Sequence, residues 1–212
     1  MPSTKGKHFA PVPLTESEVQ RLIAASAGKG PIATRNRALI VLLWRTGLRV
    51  SEALALYPHD IDTKAGTVTV REGKGGTHRV VVIIGGSAAL DYLHAWNELR
   101  GRMGINGRNP TFCSVGGHGK RSKGVRKPGR PINPAYVRAL LPRLAEKAGI
   151  DKRVHAHGLR HTHAADMANA ERPVSLSMIA SQLGHASVAT TDRYLQKLTP
   201  RDLVAAIRKS GL

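Results

Sequence analysis

Residues 38–44, "ALIVLLW", are the longest apolar run in the chain, and no other feature limits its fold as strongly. With its flanks, "TRNRALIVLLWRTG", the run has the spacing of a helix that is largely apolar all round and is stopped by Gly47. A helix with so little polar face has to be buried among other elements. It is far too short to span a membrane, which takes about 20 apolar residues. The sequence must therefore surround this helix with others, and 212 residues suffice for one domain with a substantial core.

The flanking sequence provides those helices. "LTESEVQRLIAAS" predicts one with Thr15 as N-cap and Glu18 completing a capping box. "RVSEALAL" predicts another directly after Gly47. The apolar period then changes to two: "TVTVRE" and "THRVVVI" alternate around "GKGG", as in a β-hairpin with a glycine-rich turn. "GSAALDYLHAWNELRGRMG" returns to helix. Residues 100–130 carry nine Lys or Arg and no acid, and read as a long basic loop around a short strand, "TFCS", in which Cys113 is a small buried hydrophobe. "NPAYVRALLPRLAEKAGI" predicts a helix with Asn133 as N-cap, Pro134 at its first position and Gly149 as its stop. Pro142 should kink that helix or end it early. Short helices follow around 157–170, 176–183 and 187–196, and Thr199-Pro200 opens a last one. The expected fold is α+β and mostly helical, a helical bundle with a small antiparallel β-sheet or hairpin on one edge. Residues 1–11 read as a basic flexible tail and 12–212 as one domain.

Charge narrows the partner. Thirty-three Lys and Arg against fourteen Asp and Glu leave a formal +19, a self-repulsion that makes sense if the usual partner is a polyanion. Aromatics make up only 4%, which argues against stacking platforms for single strands. One cysteine excludes an intramolecular disulfide and a Cys-rich zinc module. Residues 1–13 lack the apolar core of a signal peptide, so a cytoplasmic protein with no membrane partner is expected.

The candidate chemistry lies in "VHAHGLRHTHAADM", residues 154–167. On a helix, His157, Arg160, His161 and Ala164 share one face. Three readings compete: a metal site, packed core histidines, or a grip on phosphate. The His157/His161 pair could serve zinc, but Arg160 would sit beside the metal. A guanidinium next to an imidazole suits a phosphate. Metal-free phosphoryl transfer needs several such cations, a nucleophile and an acid for the leaving group. Arg49 stands at a helix start, with Glu52 one turn on to orient it. Lys74 lies at the tip of the predicted hairpin, His185 follows a helix stop, and Tyr194 comes nine residues later.

In order and spacing, Arg49, Lys74, His157-x-x-Arg160, His185 and Tyr194 closely resemble the tyrosine recombinase (phage integrase) family. So do "TGLRVSEAL", "GKGGTHRVVV", "HGLRHTHA" and "LGHASVATTDRYL", and the resemblance runs through roughly residues 12–210. It implies that the domain is the family's catalytic domain, a site-specific recombinase or integrase that cleaves and rejoins duplex DNA through a 3′-phosphotyrosine intermediate. Tyr194 would be the nucleophile, Arg49 and Arg160 would clamp the non-bridging oxygens, and Lys74 would protonate the leaving 5′-oxygen. His157 and His185 would bond the phosphate, with His157 the better acceptor of the tyrosine proton. His155, His161 and His163 would pack or act at second hand. The phosphotyrosine conserves bond energy, so no metal, ATP or other cofactor is expected.

The family's core-binding and arm-binding domains are not visible, leaving either a catalytic domain taken alone or a complete short recombinase. Lys120, Arg121, Lys123, Arg126, Lys127 and Arg130 would make up for a missing clamp by phosphate contacts. Expected partners are double-stranded DNA, further protomers in a tetrameric synaptic complex, and accessory DNA-bending or directionality proteins, in a prokaryotic or phage setting. A type IB topoisomerase-like enzyme and a catalytically silent DNA-binding regulator are the rivals. The "LGH…Y" spacing and "HGLR" favour the recombinase over the former, and the full set of catalytic positions favours it over the latter.

Overall fold

A computed structural model describes residues 12–71, 78–118 and 125–185. Helix α1 (Glu16–Ala25) starts with the expected capping box, in which Thr15 and Glu18 exchange side-chain and backbone bonds. Helix α2 (Pro31–Thr46) begins three residues before the apolar pattern suggested, because Gly30 serves as N-cap and Pro31 takes the first position, where a missing N–H costs nothing. It packs against α1, α3 (Val50–Ala55), α4 (Gly86–Arg102), α6 (Ala156–Ala168) and a strand. Leu39, Ile40, Leu42 and Leu43 are at most 1% exposed, each burial contributing about 1.5–3 kcal/mol relative to an exposed side chain. The bundle is therefore built around the apolar run.

The predicted hairpin is part of a three-stranded antiparallel sheet. A 3-10 turn (Pro58–Asp60) leads into β1 (Ile61–Asp62), which pairs with β2 (Thr67–Val70), and β2 pairs with β3 (Arg79–Val82). Val68, Val70 and Val81 point into the core while Val80 and Val82 face outward, as strict alternation requires.

Two expectations need correction. The basic stretch is more than a loop around one strand: β4 (Cys113–His118) and β5 (Val125–Pro131) form a second antiparallel pair. Their sequences, "CSVGGH" and "VRKPGRP", carry no apolar alternation. The pairing rests on backbone bonds and on Ser114, whose hydroxyl donates to the Lys127 carbonyl and accepts from the Arg130 N–H. The register shifts between Cys113 and Val115, a bulge that also hides the period. Cys113 itself is buried, as expected. Pro142, secondly, does not end its helix. Helix α5 (Pro134–Lys147) runs on past it, held by buried Val137, Leu140, Leu141, Leu144 and Ala145. Packing outweighs the missing hydrogen bond. The expected helices at 187–196 and after Thr199-Pro200 lie outside the described residues.

Several cations serve the fold directly. Lys147 Nζ donates to the Ala25 carbonyl, Arg37 to Ser26 and Gly28, and Arg21 to Ala148 and Gly149. Each meets the partial negative charge at a helix C-terminus, so the ends of α1 and α5 are tied to one another.

Candidate active site

The site grows from the corner between α2 and α3. Gly47 ends α2 with φ +65°, a left-handed conformation that glycine adopts at no steric cost. The position needs glycine for a second reason. A Cβ there would lie 2.6 Å from the His163 ring and 2.7 Å from Leu183. Two residues on, Arg49 is the N-cap of α3. Its backbone N–H donates to Glu52 Oε2 at 2.9 Å and its Nη1 to Oε1 at 2.8 Å. Nη2 reaches the Gly184 carbonyl at 3.4 Å. The side chain keeps 37% of its surface exposed, so a solvent-borne anion can reach it.

Arg160, on α6, is only 2% exposed. Nη1 donates to the Gly47 carbonyl and Nη2 to the Leu183 carbonyl, both at 2.6 Å. These are the C-terminal ends of α2 and α7 (Leu176–Leu183), where carbonyls lack helical partners. The buried guanidinium thus joins three helices. Beneath it His163 is fully buried, its Nε2 3.3 Å from Gln182 Nε2. Gln182 also donates to the Val82 carbonyl at 2.7 Å and accepts from the Val82 N–H at 3.0 Å. Its amide copies a strand pairing along the edge of β3 and so docks α7 on the sheet.

That docking sets His185. Gly184 closes α7 with φ +64°, and the His185 N–H returns to the Ala180 carbonyl at 3.0 Å. Burial, then the charges of Arg160, Arg49, His157 and Arg79, push the His185 ring down to about 4. His157 is lowered too, by the protein packed around it and then by Arg160, His155 and Arg49. Both imidazoles are therefore neutral at neutral pH, within the field of two guanidiniums. The His157 ring meets His161 edge-on at 4.7 Å. Among the described residues, no three His, Cys, Asp or Glu side chains gather into a metal-holding group.

The structure thus brings together Arg49, Glu52, His157, Arg160 and His185 from α3, α6 and the end of α7. His163 packs under the Gly47 corner. Lys74 and Tyr194 lie outside the described residues, as do Lys120, Arg121 and Lys123. Arg126, Lys127 and Arg130 fall on β5, the last two exposed. One participant is missing from the expected set. Arg79, at the start of β3, grips Glu52 with Nη1 on Oε1 at 3.1 Å and Nη2 on Oε2 at 2.8 Å. The sequence carried a signal for it: in the alternating strand Arg79 shares the inward face with Val81, and an inward cation requires a partner.

The phage integrase family model matches residues 13–201. A tyrosine recombinase XerD of Mycobacterium leprae is 36% identical over 197 residues, covering 91% of this chain and 58% of the relative. The crystal structure of a XerA recombinase superposes with a TM-score of 0.76 at 31% identity, over 99% of this chain and 67% of that one. A XerH site-specific recombinase bound to a palindromic difH substrate, in a post-cleavage complex, gives 0.72 at 25% identity, over 96% and 55%. The chain spans 58% and 59% of the length of two of the curated relatives it matches.

Proposed function

The chain belongs to the phage integrase family, and from that premise we propose that residues 12–212 are the catalytic domain of a site-specific DNA recombinase acting through a 3′-phosphotyrosine. The observation that carries this reading is the convergence of two guanidiniums, Arg49 and Arg160, on two neutral imidazoles, His157 and His185. Such a set suits a phosphodiester whose charge grows in the transition state.

In the proposed reaction the Tyr194 Oη–P bond forms as the P–O5′ bond breaks. Arg49 and Arg160 hold the non-bridging oxygens. A neutral His157 can accept the tyrosine proton, which an unperturbed phenol would keep until about pH 10. Lys74 gives a proton to the departing 5′-oxygen, and His185 donates to the phosphate. The phosphotyrosine keeps the energy of the broken ester, so rejoining needs neither ATP nor metal. Duplex DNA is the substrate, and strand exchange requires further protomers, four on two DNA sites, with accessory proteins setting direction. No described helix is long and apolar enough to cross a membrane, and work on the nucleoid fits the basic charge.

The test is covalent trapping. The protein is incubated with duplex DNA from the borders of its own genetic element, nicked near candidate crossover points, and run on a denaturing gel. A protein–DNA adduct that disappears in Tyr194→Phe is expected. Tight binding without an adduct would mean that this chain acts only with a further clamp domain or partner, or is a silent DNA-binding protein.

A further inference from the structure

We propose that Arg79 is a positioning residue of this site: by holding both oxygens of Glu52 it fixes the carboxylate that orients Arg49, and it keeps the Arg49 charge from being cancelled. The inference rests on the phosphate-clamp reading of Arg49.

Three observations carry it. The first is geometric. Glu52 is 4% exposed in its side chain and is held from two sides, by Arg79 through both Nη atoms and by Arg49 through its backbone N–H and Nη1. A carboxylate held by the Arg79 fork on one side and by the Arg49 backbone and Nη1 on the other has little rotamer freedom left, so the Arg49 side chain inherits its direction. The second is charge balance. A lone Glu52–Arg49 pair would be neutral and would offer a phosphate little attraction. With Arg79 added, one carboxylate is shared between two guanidiniums and the trio retains a net positive charge. Arg79 contributes that charge from behind Glu52, with both of its Nη atoms on the carboxylate. The third is packing. At Gly184, which has φ +64°, a Cβ would lie 2.7 Å from the Arg79 Nε and Cζ. The guanidinium therefore lies flat against the glycine that precedes His185, and Arg79 touches the supports of Arg49 and His185 at once. Lysine could supply the charge but not the two-point fork.

The experiment compares wild type with Arg79→Met, Arg79→Lys, Glu52→Gln and the double variant Arg79→Met/Glu52→Gln in single-turnover adduct formation on the nicked duplex. Arg79→Met is expected to slow adduct formation roughly 30-fold, the order for removing a two-point charge-assisted interaction, while duplex affinity changes less than about threefold. Arg79→Lys should recover only part of that loss. In the double variant, Glu52→Gln should add less than about threefold, because both changes remove one unit. Arg79→Met within threefold of wild type, or two losses that multiply, overturns the proposal. Should Arg79→Met fail to fold, Arg79→Lys decides alone, and wild-type rates in it overturn the idea. A wild type that forms no adduct indicts the recombinase reading instead. Carboxyl-carbon NMR titration of Glu52 then tests Arg79 separately: its midpoint must rise in Arg79→Lys or Arg79→Met, and an unchanged midpoint overturns the positioning role.

Discussion

Arg160 and His163 sit three residues apart on α6 and show how one helix can bury two ionisable groups by opposite means. Arg160 carries its guanidinium charge into the core, where two carbonyls at helix ends receive it. His163 gives up its charge. Burial, opposed by the Trp44 backbone and reinforced by the charges of Arg160 and Arg45, takes its ring from 6.5 to about 4. The unfolded chain therefore binds this proton first. His163 contributes fully to stability above pH 6.5, and the contribution is lost as pH falls towards 4, up to about 3 kcal/mol. His163→Gln should flatten that acid limb, measured as urea unfolding free energy at pH 7, 5.5 and 4.5; an equally steep fall in the variant would show that other groups drive it. At the site, seating a phosphodiester should offset the guanidinium charges and raise the His157 and His185 midpoints.

Among the elements, α5 and the β4–β5 pair separate what local sequence signals can and cannot reveal. The caps of α1 and α5, the glycine stops at Gly47 and Gly184 and the β2–β3 alternation are local, and the sequence displays them. Pro142 is a local signal that tertiary packing overrules, since five buried apolar residues of α5 face the core on either side of it. Proline in a helix interior costs about 3 kcal/mol relative to alanine. Pro142→Ala is accordingly expected to stabilise the domain by about 1–3 kcal/mol, seen as a raised denaturant midpoint. A lowered midpoint would mean that the helix has adapted to the ring. The β4–β5 pair gave no periodic signal because its ladder is made by backbone groups and a serine, not by an apolar face.

Over the whole molecule, the formal charge of +19 divides into two populations. Arg21, Arg37, Lys147 and Arg160 are engaged with helix-end carbonyls, whereas Lys127 and Arg130 on β5 are exposed. The β5 pair, rather than cations already held by helix-end carbonyls, should release counterions when DNA binds. Lys127→Gln/Arg130→Gln should reduce the slope of log affinity against log salt by about 0.9 for each phosphate that is no longer neutralised. Lys147→Gln should instead cost about 0.3–1 kcal/mol of stability and leave the slope alone. Equal slopes in the β5 variant and wild type would remove β5 from the DNA interface.

By itself the sequence determined the buried central helix, the glycine-stopped corner after it, the small antiparallel sheet and the family pattern of Arg49, His157, Arg160 and His185. These follow from spacing and from residues that act on their immediate neighbours. Only the tertiary structure decided what each charge meets: that Arg160 spans Gly47 and Leu183, that Gln182 seals α7 to β3, and that Arg79 stands behind Glu52. Those partners lie between 23 and 113 positions apart. A hydrogen bond over such a separation depends on where packing brings the elements together, which no local period records.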